Sequence, residues 1–375
     1  MIKILVFVGT RPEAIKLAPV ILALRMRIDE CEIRVCSTGQ HAELLDEALA
    51  SFGVIPDVSL RLDRRDASLA TLTSELVSRL ADTINNEKPD VTVVHGDTTT
   101  AFAGALASFY SGVEVAHVEA GLRSGDIDSP FPEEFNRRAI SKIASLHFAP
   151  TSHNRDTLVT EGVPESRIFV TGNTVIDALH QTLERLEADA SHRIEMKEHL
   201  NSLVGFNISD EKFVLVTAHR RENLGRGLGR ISRALEQLAM IFPEIMWVFP
   251  VHPNPAIRAI VQPALGHLAN FRLIEPLDYN HFSMLLQTSF IVLTDSGGLQ
   301  EEAPSLGKPV VVLRGETERS EALLAGTIVL AGTETEEIVE CVSEVLRVDQ
   351  KYAAMATAKN PYGDGLAADR IAELI

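Results

Sequence analysis

Asp97 and Glu119 each follow a short β-rich apolar run, and Glu133 opens a helical pattern behind Pro130-Phe131-Pro132. Carboxylates gathered at one cleft edge push one another's proton affinities apart, as acid and base roles require. Two of the three also have a plainer use. Asp97, ahead of Thr98-Thr99-Thr100, suits an N-cap, while Glu133 and Glu134 suit the first turn of a helix with Pro132 at its start. Gly9-Thr10-Arg11-Pro12-Glu13 joins the first apolar run to the first helical pattern, with Lys16 further on. Glycine allows close backbone approach, a helix start offers free amides, and two cations favour a phosphate; an ordinary turn with solvated cations is the rival. In the second half, His219-Arg220-Arg221 places an imidazole and two guanidinium groups at a strand end, which is natural for an anion. His252, also at a strand end, is as well explained by packing. Asp295-Ser296-Gly297-Gly298 leads from a strand into a helical pattern, so its amides suit a diphosphate, with Glu302 one turn later to accept from ribose hydroxyls. Phe282 fits either a stacked base or the core.

Other chemistries find less support. Gly225, Gly227 and Gly229 have the wrong spacing for a dinucleotide fingerprint and do not directly follow a strand, so no NAD site is expected. Cys31, Cys36 and Cys341 form no CxxC, which argues against both a zinc site and a disulfide framework. No metal and no cofactor are expected. A net charge of −17 and a pI near 5.2 disfavour nucleic acid as a partner. No uncharged apolar run reaches the ~18–20 residues that cross a bilayer. The apolar opening 4–8 is too short for a signal peptide and lacks a small-residue cleavage site, so it reads as a strand in a cytoplasmic protein.

The elements that must position these groups alternate along the chain. Strands are expected at 2–8, 32–37, 90–95, 114–118 and 146–149. After a break near 168–171 they resume at 213–217, 245–249, 271–274, 290–293, 309–313 and 327–330. Runs such as Val91-Thr92-Val93-Val94 and Val310-Val311-Val312-Leu313 are almost wholly β-branched and apolar, as parallel strands covered on both faces are. Two such series in 375 residues predict an α/β protein of two Rossmann-like doubly wound domains with ligand in the cleft between them. The domains are expected at 1–170 and 171–365, with a last helix at 366–375 packing back onto the first. The stretch 184–200 is densely charged and reads as a solvent-facing helix.

Eight segments together resemble the non-hydrolysing UDP-N-acetylglucosamine 2-epimerase family: GTRPEAIKLAPV, HGDTTT, HVEAGLRSGD, PFPEEFNRR, TGNTVIDAL, TAHRREN, PVHPNP and TDSGGLQEEAPSLGKPVVVLR. They run in the family's order from residue 9 to residue 314. The resemblance implies a GT-B-like fold, a homodimer and a UDP-sugar substrate. It implies catalytic roles for Asp97, Glu119, Glu133 and His219, and UDP-sugar contacts from Arg11, Lys16, Arg137, Leu277, Phe282, Ser296, Gly297, Gly298, Glu302 and Arg319. Two departures stand out. Where the family reads DTTERPE, this chain has Gly315-Glu316-Thr317-Glu318-Arg319-Ser320-Glu321, keeping the Arg but losing the Asp and the Pro. Some bacterial members have a second, regulatory UDP-sugar site drawing on a Gln-x-x-Gln and an Arg. Here those positions read Gln40-His41-Ala42-Glu43 and Asp66, whose added negative charge opposes a second diphosphate.

The implied chemistry suits the carboxylates. Inverting C2 of an N-acetylhexosamine without a neighbouring carbonyl proceeds if UDP leaves C1 as C2 loses its proton, giving a glycal to which UDP and a proton return from the other face. That needs a base, an acid and cations with amides for the departing UDP. A GT-B glycosyltransferase shares the nucleotide half but leaves three N-terminal acids unexplained. A 2-epimerase for a uronic acid or diacetamido sugar is the nearest alternative, and a UDP-sugar sensor is disfavoured by the intact acids.

Overall fold

The computed structural model describes residues 1–39, 42–60, 62, 68–218 and 225–375, and the side chains of 42–44 are outside that description. The chain forms two compact units, Met1–Gln181 with Tyr362–Ile375, and Thr182–Pro361.

In the first unit seven strands, β1 (Ile2–Val8), β2 (Cys31–Ser37), β3 (Val58–Ser59), β4 (Val91–His95), β5 (Glu114–Val118), β6 (Leu146–Ala149) and β7 (Ile168–Val170), form one parallel sheet in the order 3-2-1-4-5-6-7. Val6 of β1 lies opposite Val35 on one side and Val93 on the other. All five residues of β4 are buried, because helices cover both faces and no polar alternation is tolerated. The segment expected as a break at 168–171 is instead the edge strand β7, whose Val170 is exposed. The order reverses direction between β1 and β4. The carboxyl ends of those two strands are the usual ligand position in such sheets.

The second unit repeats the plan. Strands β8 (Phe213–Thr217), β9 (Met246–Pro250), β10 (Phe271–Ile274), β11 (Ile291–Thr294), β12 (Val310–Val312) and β13 (Ile328–Leu330) are parallel in the order 10-9-8-11-12-13. Leu215 of β8 faces Val248 and Val292 across its two neighbours. Trp247 and Phe249 are fully buried, Trp247 stacked on Phe271 at 6.3 Å. Burial of a side chain such as Phe249 contributes ~1.5–3 kcal/mol. Here the switch point falls between β8 and β11, so Ser296-Gly297-Gly298 leaves its strand at the matching position. No helix among the described residues is long and apolar enough to cross a membrane.

Candidate active site

The loop after β1 starts the helix Arg11–Arg25, capped by the Thr10 side chain, which accepts from the Glu13 amide. A Cβ on Gly9 would lie 2.0 Å from Thr100 Oγ1, so only glycine lets this loop pass the start of the neighbouring helix. Arg11, the first residue of that helix, is half-buried and makes no hydrogen bond or ion pair with a described residue. Glu13 ties the loops together: its Oε2 accepts from the Gly9 amide at 3.0 Å and its Oε1 from Thr98 Oγ1 at 2.6 Å. Burial pushes the Glu13 carboxyl above its ordinary range, with the Thr98 hydroxyl and His95 opposing.

Asp97 follows β4. The cap of the helix Thr99–Tyr110 is Thr98, whose hydroxyl accepts from the Ala101 amide, so Asp97 is free of the capping job. Its Oδ2 accepts from Arg137 Nε at 2.8 Å and its carbonyl from Asn136 Nδ2 at 2.8 Å. Both partners lie on the helix Glu133–Ile143. Arg137 also reaches Glu134 Oε2 at 3.3 Å, and the fully buried Glu134 is further held by Arg138 Nε at 2.9 Å and the Ser124 amide at 3.0 Å. Glu133, the first residue of that helix, is half-exposed and has no hydrogen bond or ion pair to a described residue.

Glu119 follows β5 with φ +64°, a left-handed conformation that a non-glycine residue adopts only when its surroundings hold it there. Its Oε2 is paired with Lys16 Nζ and accepts from Asn173 Nδ2 at 2.9 Å, with His95 Nε2 at 3.7 Å. Burial works against ionisation of this carboxyl, yet Lys16 and His95 outweigh it and hold the group well below its usual range. A Cβ on Gly96, the residue before Asp97, would lie 3.7 Å from Glu119 Oε1, so the two acids sit on adjoining loops. Lys16, Asp97, Glu119 and Arg137 are thus brought together at the switch point, with Arg11 and Glu133 on the elements that carry them.

In the second unit Arg319 packs over the Ser-Gly-Gly turn: a Cβ on Gly297 would meet its guanidinium at 2.9–3.0 Å. Arg319 Nε donates to the buried Glu301 at 2.9 Å and NH1 to Glu318 at 2.7 Å. Ser296 N–H donates to Thr294 Oγ1 at 2.9 Å. Glu302 lies one turn into the helix Leu299–Ser305 and accepts from Tyr279 Oη at 3.2 Å. Burial, then the facing Glu302, pushes the Tyr279 hydroxyl well above its usual range, so it stays a donor. Phe282 lies one turn after Tyr279 on the helix Tyr279–Thr288, and Leu277 just precedes its Asp278 cap; both are half-buried. His219, with Arg220 and Arg221, lies outside the described residues, as do Gln40, His41, Asp66 and the Glu43 side chain.

Sequence reasoning passed over Glu13, Glu134, Asn173 and His95 as site residues. Their roles depend on partners distant along the chain; the one local signal was polar residues inside the segments GTRPE, PEEF, TGNT and HGD.

Two further histidines, His117 and His147, are buried opposite each other on β5 and β6. Burial pushes them down to about 3 and about 4 from an ordinary 6.5. Both are neutral in the fold, while the unfolded chain takes up protons once pH drops below 6.5, so their contribution is intact above that pH and is lost as pH falls toward 4 and 3. Each is expected to cost up to ~1.4 kcal/mol per pH unit over that window. Thermal unfolding midpoints of the His147→Leu variant should fall less steeply between pH 7 and pH 5 than those of the parent; parallel lines would exclude this origin.

Two parallel doubly wound sheets, each with site loops at its switch point, define an α/β protein of the GT-B-like two-domain kind. The family model described as UDP-N-acetylglucosamine 2-epimerase matches residues 25–375, and the chain belongs to that family. The UDP-N-acetylglucosamine 2-epimerase of Escherichia coli (strain K12) is 46% identical over 373 residues, covering 100% of this chain and 98% of that one. The crystal structure of UDP-GlcNAc 2-epimerase from Neisseria meningitidis bound to UDP-GlcNAc is similar at a TM-score of 0.92 and 44% identity, covering 99% of both chains. That of the Methanocaldococcus jannaschii UDP-GlcNAc 2-epimerase in complex with UDP-GlcNAc and UDP gives 0.83 and 33%, again covering 99% of both chains.

Proposed function

We propose that this protein interconverts UDP-N-acetylglucosamine and UDP-N-acetylmannosamine by eliminating UDP to a glycal and adding it back, without a cofactor. The observation that carries the reading is Glu119: a carboxylate kept ionised by Lys16, its Oε1 open, on a loop adjoining that of Asp97. An ionised carboxylate takes the C2 proton as the C1–O electron pair leaves with UDP, and a proton returned to the opposite face of C2 accompanies re-addition. Arg11, Lys16 and the amides that open the helix Arg11–Arg25 favour the charge of the departing diphosphate. In the second unit, Ser296-Gly297-Gly298, Glu302, Phe282, Leu277 and Arg319 hold the UDP moiety in this reading. The binding of UDP-GlcNAc by the Neisseria meningitidis relative supports it.

A homodimer in the cytoplasm belongs to the same proposal. An apolar groove of about 760 Å³ lined by Leu69, Phe102, Leu106, Phe131 and Phe135 supports the dimer, with Phe131 67% and Phe135 47% exposed. One experiment tests both parts. Incubated in D2O with UDP-GlcNAc alone, the protein should yield UDP-ManNAc carrying deuterium at C2, and light scattering of the same sample should give twice 41.0 kDa. Retention of the original hydrogen, or a requirement for added NAD, overturns the elimination route; a monomer mass overturns the dimer.

A further inference from the structure

The Glu119 carboxylate is held on one oxygen only. Lys16, Asn173 and His95 converge on Oε2 from three separate elements, whereas Oε1 makes no hydrogen bond or ion pair with a described residue. Of these three, Asn173 is the one that does not titrate, and its orientation is set from outside. Its Oδ1 accepts from the Val175 amide at 3.1 Å, which turns Nδ2 toward Glu119.

The backbone around Asn173 is clamped by a distant part of the chain. The Asn173 amide donates to the Tyr362 carbonyl at 2.7 Å. Arg370 NH1 donates to the Thr171 carbonyl at 3.0 Å, its guanidinium fixed on the Asp364 carboxylate at 2.8 and 2.7 Å. The Ala368 amide donates to the buried Asp177 Oδ1 at 2.7 Å. Gly172 has φ +95°, and a Cβ there would lie 3.3 Å from the Tyr362 carbonyl oxygen and 3.4 Å from the Ala367 Cβ, so the two stretches cross with no room for a side chain. None of this contact is needed to complete the sheet, whose last strand ends at Val170.

We propose that Asn173 is a positioning residue for Glu119, aimed by the returning segment Tyr362–Ile375, and that it decides which carboxylate oxygen faces the substrate. The proposal rests on the reading of Glu119 as an acid–base group of 2-epimerisation. With Oε2 occupied from three directions, the open Oε1 is the atom left to take or give a proton. Without the Asn173 donor, Lys16 is the one close contact left on Oε2, with His95 at 3.7 Å, and the carboxylate is less restrained in rotation.

Asn173→Asp is the decisive variant. It keeps the oxygen that accepts from Val175 and replaces the donor facing Oε2 by a second carboxylate. Asn173→Ser keeps a short acceptor for that amide, adds no charge and does not reach Glu119. The charged and titratable groups facing Glu119 are Lys16 from the helix Arg11–Arg25 and His95 from β4, with Glu13 acting on His95 in turn. In Asn173→Asp the acidic limb of the kcat–pH profile with UDP-GlcNAc is expected to move up by about one unit or more, the size of a like-charge effect at contact distance. KM should stay within about twofold, and Asn173→Ser should lower kcat with a smaller shift. Carboxyl 13C NMR on protein labelled at glutamate, with the Glu119 signal assigned by its loss in Glu119→Gln, reads the same upward shift without any substrate. Should the parent fail to turn over UDP-GlcNAc while this signal still moves, the positioning stands and the functional reading falls. Folded Asn173→Asp with an unmoved Glu119 titration overturns the proposal.

Discussion

Replacing Glu119 by Gln is expected to cut kcat for UDP-GlcNAc epimerisation by about 10²–10⁴-fold, the range a positioned acid–base group supplies. The substituted amide still accepts a hydrogen bond from Lys16, so circular dichroism should change little, while the unfolding midpoint should fall because the largely buried ammonium loses its counter-charge. What is lost is the proton affinity of Oε1. Asp97→Asn and Glu133→Gln belong to the same series but start from different surroundings. Asp97 is pinned by Arg137 at 2.8 Å, whereas Glu133 has no hydrogen bond or ion pair to a described residue and is free to meet a substrate. Turnover by coupled assay, with UDP-GlcNAc binding checked by calorimetry, sorts the three. Any variant that keeps near-parent turnover removes that residue from the acid–base set.

The second large effect lies one layer behind the carboxylates. Arg137 bridges Asp97 to the fully buried Glu134, so truncating it leaves one buried carboxylate short of a cation and the other unanchored. Breaking a buried pair from one side costs ~3–5 kcal/mol. Because Arg138 and the Ser124 amide still hold Glu134, Arg137→Ala is expected at the lower end, about 3 kcal/mol. At roughly 2–4 °C per kcal/mol for a unit of this size, the unfolding midpoint should drop by about 6–12 °C. Turnover should fall as well, since Asp97 loses its anchor. Arg137→Lys restores the charge without the fork and should recover stability better than activity. A midpoint unchanged within about 2 °C for Arg137→Ala would show that Glu134 is satisfied without it.

The strands were legible where burial leaves no choice. β4 and β8 are buried throughout and mostly apolar because both faces are covered, and the order of loops along the chain places Asp97 and Glu119 at strand ends. Short edge strands were not legible. Val58–Ser59 has two residues, too few to show a period, and Ile168–Val170 carries an exposed valine that reads as a break. At the site, residue types were readable and partners were not. The pairing of Lys16 with Glu119 spans 103 positions, and that of Asn173 with Glu119 spans 54. Nothing local distinguishes Glu134, which is buried and structural, from Glu133, which is half-exposed. Only the fold does so, by bringing the Ser124 amide and Arg137 onto Glu134. Asp97 taken alone favours a cap in the sequence, yet Thr98 supplies it, a choice made by backbone geometry at the strand end rather than by residue type.

The first unit is built from residues at both ends of the chain, Met1–Gln181 and Tyr362–Ile375. A ribosome extending the chain at ~5–20 residues per second needs some tens of seconds to make what lies between them. During that interval the nascent first unit carries its sheet but lacks the strap that braces Thr171–Asn173. The loop that faces Glu119 is therefore braced only after the second unit has been synthesised. A chain halted just short of Tyr362 would hold the strands of both sheets while the Asn173 amide and the Thr171 carbonyl lack their partners.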